Sequence, residues 1–569
     1  MRNEEVIALL YTLADVLEIR GDEELFKILA YRRAARSLED LAEDVEQVRR
    51  EGRLRRVPGV GEAIAEKIEE FLSTGRLEYL ERITDGFPRG LLEMLRIPGL
   101  GPKKVQALWR ELRITTVDEL REACEKHRVS HLKGFGERTE EKILAGIKLV
   151  REASGRRLIA EAWEVAEQVV AHLREHPAVA RVAAAGSFRR MKETVGDLDF
   201  LVLSSRPADA AKAFTAMPLV QEVVASGDTK STVLFQGGLQ ADLRVLEARS
   251  WGSGLQYFTG SKDHNIHLRT IAAAKGLKLS EYGVFRGDEP IAGDTEEGVY
   301  AALGLPYIEP ELREDAGEIQ AAQEGKLPHL VRLEDVKGDF HAHTRLTDGV
   351  NTLEEMAAAA EARGYAYLGL SEHSPSLAVA RGIDADTARI RKKEIAGFNR
   401  RSKGIQLLFG TECDILKDGS LDYPDDVLKE FDYAVVSVHS HFQLPLQEQT
   451  ERVLAAVAHP SANVLAHPTA VKFGERKPID VDLEKVFEEC AQRGTAVEIN
   501  SGGNRMDLNG AQARLARGRG CVLATDTDAH STAELGTMPF AVGLARRAWL
   551  EAKDVINTWD YERVKAFFR

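Results

Sequence analysis

The stretch Gly338–Gly349, GDFHAHTRLTDG, sets His341 and His343 two residues apart behind an apolar residue, with Asp348 five beyond the second histidine. Residues i and i+2 of a strand face the same way, so both imidazoles are offered to one point. Two converging nitrogen ligands are the beginning of a metal site. Working outward, short apolar runs recur to the end of the chain: YAYLGLSEHS (365–374), IQLLFGTECDI (405–415), DYAVVSVHS (432–440), ANVLAHP (462–468), TAVEINSG (495–502) and CVLATDTDAH (521–530). Helical patterns separate them. Such βα repeats from about residue 335 predict a barrel with its chemistry at the C-terminal ends of the strands.

Metal-ligating side chains fall at those ends. After His341, His343 and Asp348 come His373, Glu412, His439, His467, Asp528 and His530. A lone histidine is usually structural, but nine candidates at successive junctions read as a cluster. They exceed the three or four ligands of a single zinc, so two or three ions are expected, with Glu412 bridging. Imidazole with carboxylate suits Zn²⁺, Mn²⁺ or Fe²⁺, and a cluster of this kind implies phosphoester hydrolysis. His439 fits the ligand pattern better than His441. Asp348 is left as either a ligand or the acceptor of a ligand's hydrogen bond. Asp526 reads as supporting the ligands rather than joining them, and Asn500, Arg505 and Lys472 as contacts to substrate.

The 569 residues suggest three or four domains. At 44% hydrophobic and 30% charged, the composition is that of a soluble globular protein. No run of 18 apolar residues exists, and the first twenty residues read as an amphipathic helix, so neither a membrane span nor a signal peptide is expected. Four scattered cysteines without a C-x-x-C pair argue for a reducing compartment. A net charge of −14 disfavours wholesale coating of nucleic acid, while local basic clusters remain possible. The expected location is cytoplasmic and nucleoid-associated, and the expected state is a monomer.

The front of the chain has a different texture. Residues 1 to about 150 carry apolar residues at helical spacing, broken by three similar turns: VPGVGEAIAEKI from Val57, IPGLGPKKVQAL from Ile97 and LKGFGERTEEKI from Leu132. Each turn leads into a helix, and its glycines (Gly59 and Gly61, Gly99 and Gly101, Gly134 and Gly136) present backbone N–H groups at the helix start. That geometry suits a phosphate oxygen. The turns resemble helix-hairpin-helix elements, which grip the DNA backbone without reading sequence.

From about 158 short strands appear between helices. In GSFRRMKETVGDLDFLVL, Asp197 and Asp199 share one face of a strand, and Asp242 lies on another alternating strand, LQADLRVL. Three convergent carboxylates need cations, and oxygen ligands suit Mg²⁺ or Mn²⁺. Two such ions can clamp an attacking 3′-hydroxyl and a leaving pyrophosphate. Gly186 permits a close turn, while Ser187, Arg189 and Arg190 supply phosphate contacts.

GSFRR, GDLDF, ADLRVL and YFTGS, in that order, resemble the palm and thumb of family X DNA polymerases of the polymerase beta type. ILAYRRAARSL and the Val57 turn resemble that family's lyase-type domain, and the Ile97 turn its fingers. The resemblance implies that Asp197 and Asp199 bind both metals and that Asp242 completes the catalytic site. It implies that Gly186, Ser187 and Arg190 hold the triphosphate. Tyr257, Phe258 and Gly260 would flank the nucleotide's sugar, Asn265 would contact the base in the minor groove, and Arg244 would pair with a metal-binding aspartate in an inactive state. Lys67 matches the family's Schiff-base lysine, supported by Lys27 and Tyr31, or else is an exposed helix lysine or a phosphate contact. Ala63 departs from the pattern, where polymerase beta carries another lysine.

The barrel region resembles a PHP (polymerase and histidinol phosphatase) domain with every ligand motif intact. The expected layout is an all-α lyase-like domain with a helix-hairpin-helix over 1–85, helical fingers over 86–155, an α/β nucleotidyltransferase palm over 156–250, a thumb over 251–318, a connector over 319–334 and a distorted (β/α)7 TIM-like PHP barrel over 335–569. The expected activity is filling of short gaps in duplex DNA, of the base excision repair type, from deoxynucleoside triphosphates. With it come a 3′–5′ exonuclease and, at the same site, abasic-site endonuclease or 3′-phosphatase activity. Gapped or nicked DNA is the expected partner. The competing reading is a small-molecule nucleotidyltransferase joined to a histidinol-phosphatase-like enzyme; the hairpin turns and YFTGS weigh against it.

Overall fold

The computed structural model describes residues 2–568 apart from 22–24, 40, 42–44, 85–86, 89, 96, 98–99, 133, 137, 145–146 and 148–155. The chain divides into two compact units, one built on residues 1–155 and one on 156–375 and 380–569. Gly99 lies outside the described residues.

The first unit is helical. Arg2–Arg20 and Leu25–Glu39 pack together, and Glu62–Thr74 and Pro102–Leu112 follow. Leu10, Leu13, Leu17, Ile68 and Leu108 fall at helical spacing and are fully buried in one apolar core. The three hairpin turns repeat one geometry. The carbonyls of Val57, Ile97 and Leu132 accept from the N–H groups of Val60, Leu100 and Phe135 at 3.0 Å each. Gly61, Gly101 and Gly136 then accept the first helical bonds. Gly59 and Gly134 carry φ of +82° and +88°, a backbone that a Cβ disfavours.

The second unit begins with a five-stranded sheet. Its strands are β1 (Arg181–Ala184), β2 (Asp197–Leu203), β3 (Val220–Ser226), β4 (Lys230–Phe235) and β5 (Gln240–Leu246), in the order β1-β2-β5-β4-β3. Strand β2 alternates as its sequence demands: Leu198, Phe200 and Val202 are fully buried, while Asp197 and Asp199 look the other way. It runs parallel to β5, with Asp199 opposite Asp242. The helices Trp251–Thr259 and Lys262–Ala274 follow, then a three-stranded sheet of β6 (Lys278–Ser280), β7 (Gly283–Arg286) and β8 (Glu289–Ala292). Residues 319–334, expected as a connector, are partly integral to this lobe. The helix Glu318–Gln323 buries Ile319 and Ala322 in the core formed by Leu268, Val284 and Tyr300.

The last part is a parallel seven-stranded sheet in sequential order: β9 (Gly338–Asp339), β10 (Tyr367–His373), β11 (Gln406–Asp414), β12 (Tyr433–Ser437), β13 (Val464–Leu465), β14 (Ala496–Asn500) and β15 (Leu523–Asp526). It curls almost closed. His343 N–H donates to the Ala529 carbonyl at 2.8 Å and Ala529 N–H to that of His341 at 3.2 Å, which bridges the two ends. Phe340, Tyr367, Leu408, Tyr433 and Val464 fill the inside, with Phe568 stacked on Tyr433 at 4.8 Å. No helix among the described residues is long and apolar enough to cross a membrane.

Candidate active sites

Parallel strands place the histidines. Each strand ends at the same rim, so residues far apart in sequence converge there. Glu412, near the end of β11, stands at the centre. One of its oxygens lies 3.2 Å from His341 Nε2, 3.5 Å from His343 Nε2 and 2.9 Å from His373 Nδ1. The other lies 3.2 Å from His439 Nε2 and 3.0 Å from His467 Nε2. Asp528 Oδ1 is 3.3 Å from His343 Nε2, and Asp348 Oδ2 is 3.4 Å from His373 Nε2 and 3.2 Å from His530 Nε2.

Three overlapping groups could each hold a cation: His343, Asp348, His373 and His530; His341, His343, Glu412 and Asp528; and His373, Glu412 and His439. The donor chemistry fits. Among the described residues, His341 Nε2, both nitrogens of His343, Asp348 Oδ1, His373 Nδ1 and His467 Nδ1 are buried without a well-aligned hydrogen bond. Buried polar atoms rarely stay unpaired unless something else satisfies them, and Glu412 belongs to two of the groups, as a bridging carboxylate would.

The electrostatics agree. Burial works against charge on His341, yet Glu498, Asp528 and Glu412 outweigh it and hold the ring well above the ordinary histidine pKa. Burial alone would raise Glu412; the surrounding imidazoles of His439, His341 and His373 hold it well below the usual range. Burial, with His530 and His373 adding to it, pushes His343 down to about 4.

Behind the histidines stand carboxylates that the sequence reading passed over. Glu498 accepts from His341 Nδ1 at 2.6 Å and from the His467 N–H at 2.6 Å, and Asp414 lies 2.6 Å from His439 Nδ1. Each sits two residues from a position already singled out, Asn500 or Glu412, so strand alternation was the available signal. Asp526 accepts from the Phe340 N–H and the Asn557 amide and touches no histidine. Arg505 Nε is 3.1 Å from Asp528 Oδ2, while its Nη1 is buried without a partner.

In the palm, Asp197 and Asp199 open strand β2 beside Asp242 on β5. Burial first, then the neighbouring Asp197 and Asp242, push the Asp199 carboxyl up to about 7. Burial and Asp242 likewise raise Asp197. Thr232 Oγ1 donates to Asp242 Oδ1 at 2.5 Å. Gly186 has φ of +62°, and a Cβ there would collide with Asp199 Oδ2, so only glycine lets this turn approach the carboxylates. Ser187 is half-buried on the same turn.

Arg190 donates from Nε to Glu314 at 3.0 Å and from Nη1 to the Thr259 carbonyl at 2.5 Å. Gly260 sits against it, at 3.2 Å from a built Cβ to Arg190 Nη1. Arg189 forms a bidentate pair with Glu296. Asn265 accepts from Gln256 at 2.7 Å and donates to the Tyr257 carbonyl at 2.7 Å. Tyr257 and Phe258 meet edge-to-face at 5.1 Å, and Arg244 stacks over Phe258 at 5.0 Å. Lys67 donates to the Ala63 carbonyl and lies 4.8 Å over the Tyr79 ring; Lys27 is exposed and Tyr31 buried.

Family models match four segments: a helix-hairpin-helix domain over 1–77, a SAM-like helix-hairpin-helix tandem over 91–148, a DNA polymerase beta thumb over 254–314 and a PHP domain over 339–502. The chain is 35% identical to the DNA polymerase/3′–5′ exonuclease PolX of Bacillus subtilis (strain 168), over the full length of both. It is 28% identical to DNA polymerase lambda of Rattus norvegicus over 54% of this chain and 55% of that protein. A probable phosphatase of Thermoanaerobacter sp. (strain X514) is 24% identical over 41% of this chain and 94% of its own length.

Proposed function

The chain belongs to the PolX family of DNA polymerase/3′–5′ exonucleases, and we infer that it both extends and trims DNA. The observation that carries the inference is the presence of two separate centres, one of neighbouring aspartates and one of histidines with carboxylates. The palm sets Asp197, Asp199 and Asp242 beside a glycine-serine phosphate turn. The barrel gathers six histidines, Asp348, Glu412 and Asp528 at one rim.

At the palm, the three aspartates would hold Mg²⁺ or Mn²⁺, which supplies positive charge for the 3′-oxygen and the departing pyrophosphate. The residues do the rest. Ser187 and Arg190 hold the triphosphate, the Arg190 guanidinium facing a phosphate oxygen. Tyr257, Phe258 and Gly260 bound the sugar. Asn265 reaches the base once the amide leaves Gln256. Asp199, its carboxyl raised by burial and its two acidic neighbours, would be held as a carboxylate by a bound cation.

At the barrel, the nine side chains would hold two or three Zn²⁺, Mn²⁺ or Fe²⁺ ions, which polarise the phosphoryl oxygens and acidify water. Glu498 and Asp414 fix the ring orientations of His341 and His439 by accepting their Nδ1 protons. Arg505 offers its buried Nη1 to the scissile phosphate. Abasic-site cleavage and 3′-phosphate removal use the same chemistry. The hairpin glycines Gly59, Gly61, Gly99, Gly101, Gly134 and Gly136 hold the duplex by its backbone, and Lys67 serves as the Schiff-base lysine or as a phosphate contact.

The substrate is a short gap in duplex DNA. A duplex with a one-nucleotide gap, offered each deoxynucleoside triphosphate in turn, tests this. Incorporation of only the complementary nucleotide, faster than on an open primer, is expected. Template-independent transfer, or transfer to a small-molecule acceptor instead, would overturn it.

A further inference from the structure

The turn that carries Ser187 and Arg190 is not completed by the polymerase lobe alone. Its outer side rests on the helix Met538–Arg547 of the barrel domain. A Cβ at Gly543 would run into Met191, so that helix approaches the turn as closely as a glycine allows. Phe540 packs edge-to-face on Trp163 at 5.3 Å, and Gly510 N–H donates to Glu193 at 3.1 Å. The polar centre of this seam is Arg547. Its Nη1 donates both to the Arg190 carbonyl at 2.8 Å and to Glu314 Oε1 at 3.0 Å. Glu314 Oε1 is also the acceptor for Arg190 Nε at 3.0 Å, and Lys192 approaches its other oxygen at 3.7 Å.

One arginine of the barrel domain therefore touches Arg190 twice, directly at its main chain and through Glu314 at its side chain. Arg547 and Arg190 are each about one-tenth exposed, so these bonds are shielded and stronger than surface pairs. Glu314 and the Thr259 carbonyl fix two nitrogens of the Arg190 guanidinium. That leaves the guanidinium held in one orientation, with its Nη2 edge the part that a phosphate would meet. A long side chain must otherwise be ordered when ligand binds, which weakens binding.

We propose that Arg547, carried by the exonuclease domain, is a positioning residue of the polymerase: through Glu314 it presets Arg190 for the triphosphate of the incoming nucleotide. The proposal rests on the reading of Arg190 as a triphosphate contact. It makes nucleotide affinity, rather than the chemical step or the barrel's own reaction, the quantity that Arg547 controls.

The test is single-nucleotide gap filling by the full chain, measured as KM and kcat for the complementary nucleotide. R547A is expected to raise KM roughly tenfold with kcat within about twofold, while digestion of a 3′ end proceeds at the wild-type rate. R547K recovers most of the affinity, because a single nitrogen makes both contacts. E314Q raises KM as R547A does, and combining the two adds less than twofold. E314Q keeps the side chain's shape, so it carries the test if R547A fails to fold, as read by its melting temperature. A KM within twofold of wild type in both E314Q and R547A, or effects that multiply in the double variant, would overturn the proposal. D197A, run beside them, separates this from the parent reading: if D197A still incorporates nucleotide, the palm assignment itself falls.

Discussion

Asp199 sits where burial and two neighbouring carboxylates all oppose its negative charge, and its pKa rises to about 7. Its folded value lies above its unfolded one, so the folded chain binds that proton more tightly. The stability this gives is complete below about pH 4 and is lost as the pH rises through about 7. D199N in chelator at pH 8 should therefore melt higher than wild type, by on the order of 2 kcal/mol, with no difference at pH 4. Equal melting at pH 8 would mean that the carboxylate bears no such cost. Arg505 makes a second prediction at this scale. Its unpartnered Nη1 implies that R505A slows 3′ digestion by roughly tenfold to a hundredfold and leaves nucleotide incorporation alone. Unchanged digestion would remove Arg505 from the site. Both residues were open to a sequence reading as chemistry, but their surroundings were not. Glu314 lies 124 positions from Arg190, and no local pattern announces that pairing.

The hairpin turns belong to the scale of elements. Gly61 and Gly101 have ordinary negative φ, and a Cβ at either, or at Gly136, would meet nothing within 4 Å. The fold does not need glycine there, whereas a phosphate approaching the helix start does. G61V, G101V and G136V should each fold normally and weaken binding to a gapped duplex severalfold by fluorescence anisotropy. Undiminished affinity in all three would leave the turns as plain corners. These elements were legible because glycine and apolar spacing fix a turn locally. The barrel ligands were legible for a similar reason, since alternation on a strand places i and i+2 together. Glu498 and Asp414 escaped because a strand-end carboxylate is common, and only burial against His341 and His439 distinguishes them. The helix Glu318–Gln323 escaped because its burial depends on the fold around it: Glu318 is wholly buried against His264.

At the scale of the molecule, the chain joins two opposing reactions on DNA, and the proposed mechanism gives them separate centres. The palm aspartates and the barrel histidines lie on different sheets, so each can be removed without the other. The most direct measurement is one gel. A 5′-labelled primer on a gapped duplex is incubated with Mn²⁺, with and without deoxynucleotides, using wild type, D197A and H341A. D197A is expected to shorten the primer but never extend it, H341A to extend but never shorten it, and wild type to do both. Loss of both activities in either variant, or digestion that persists in H341A, would contradict it.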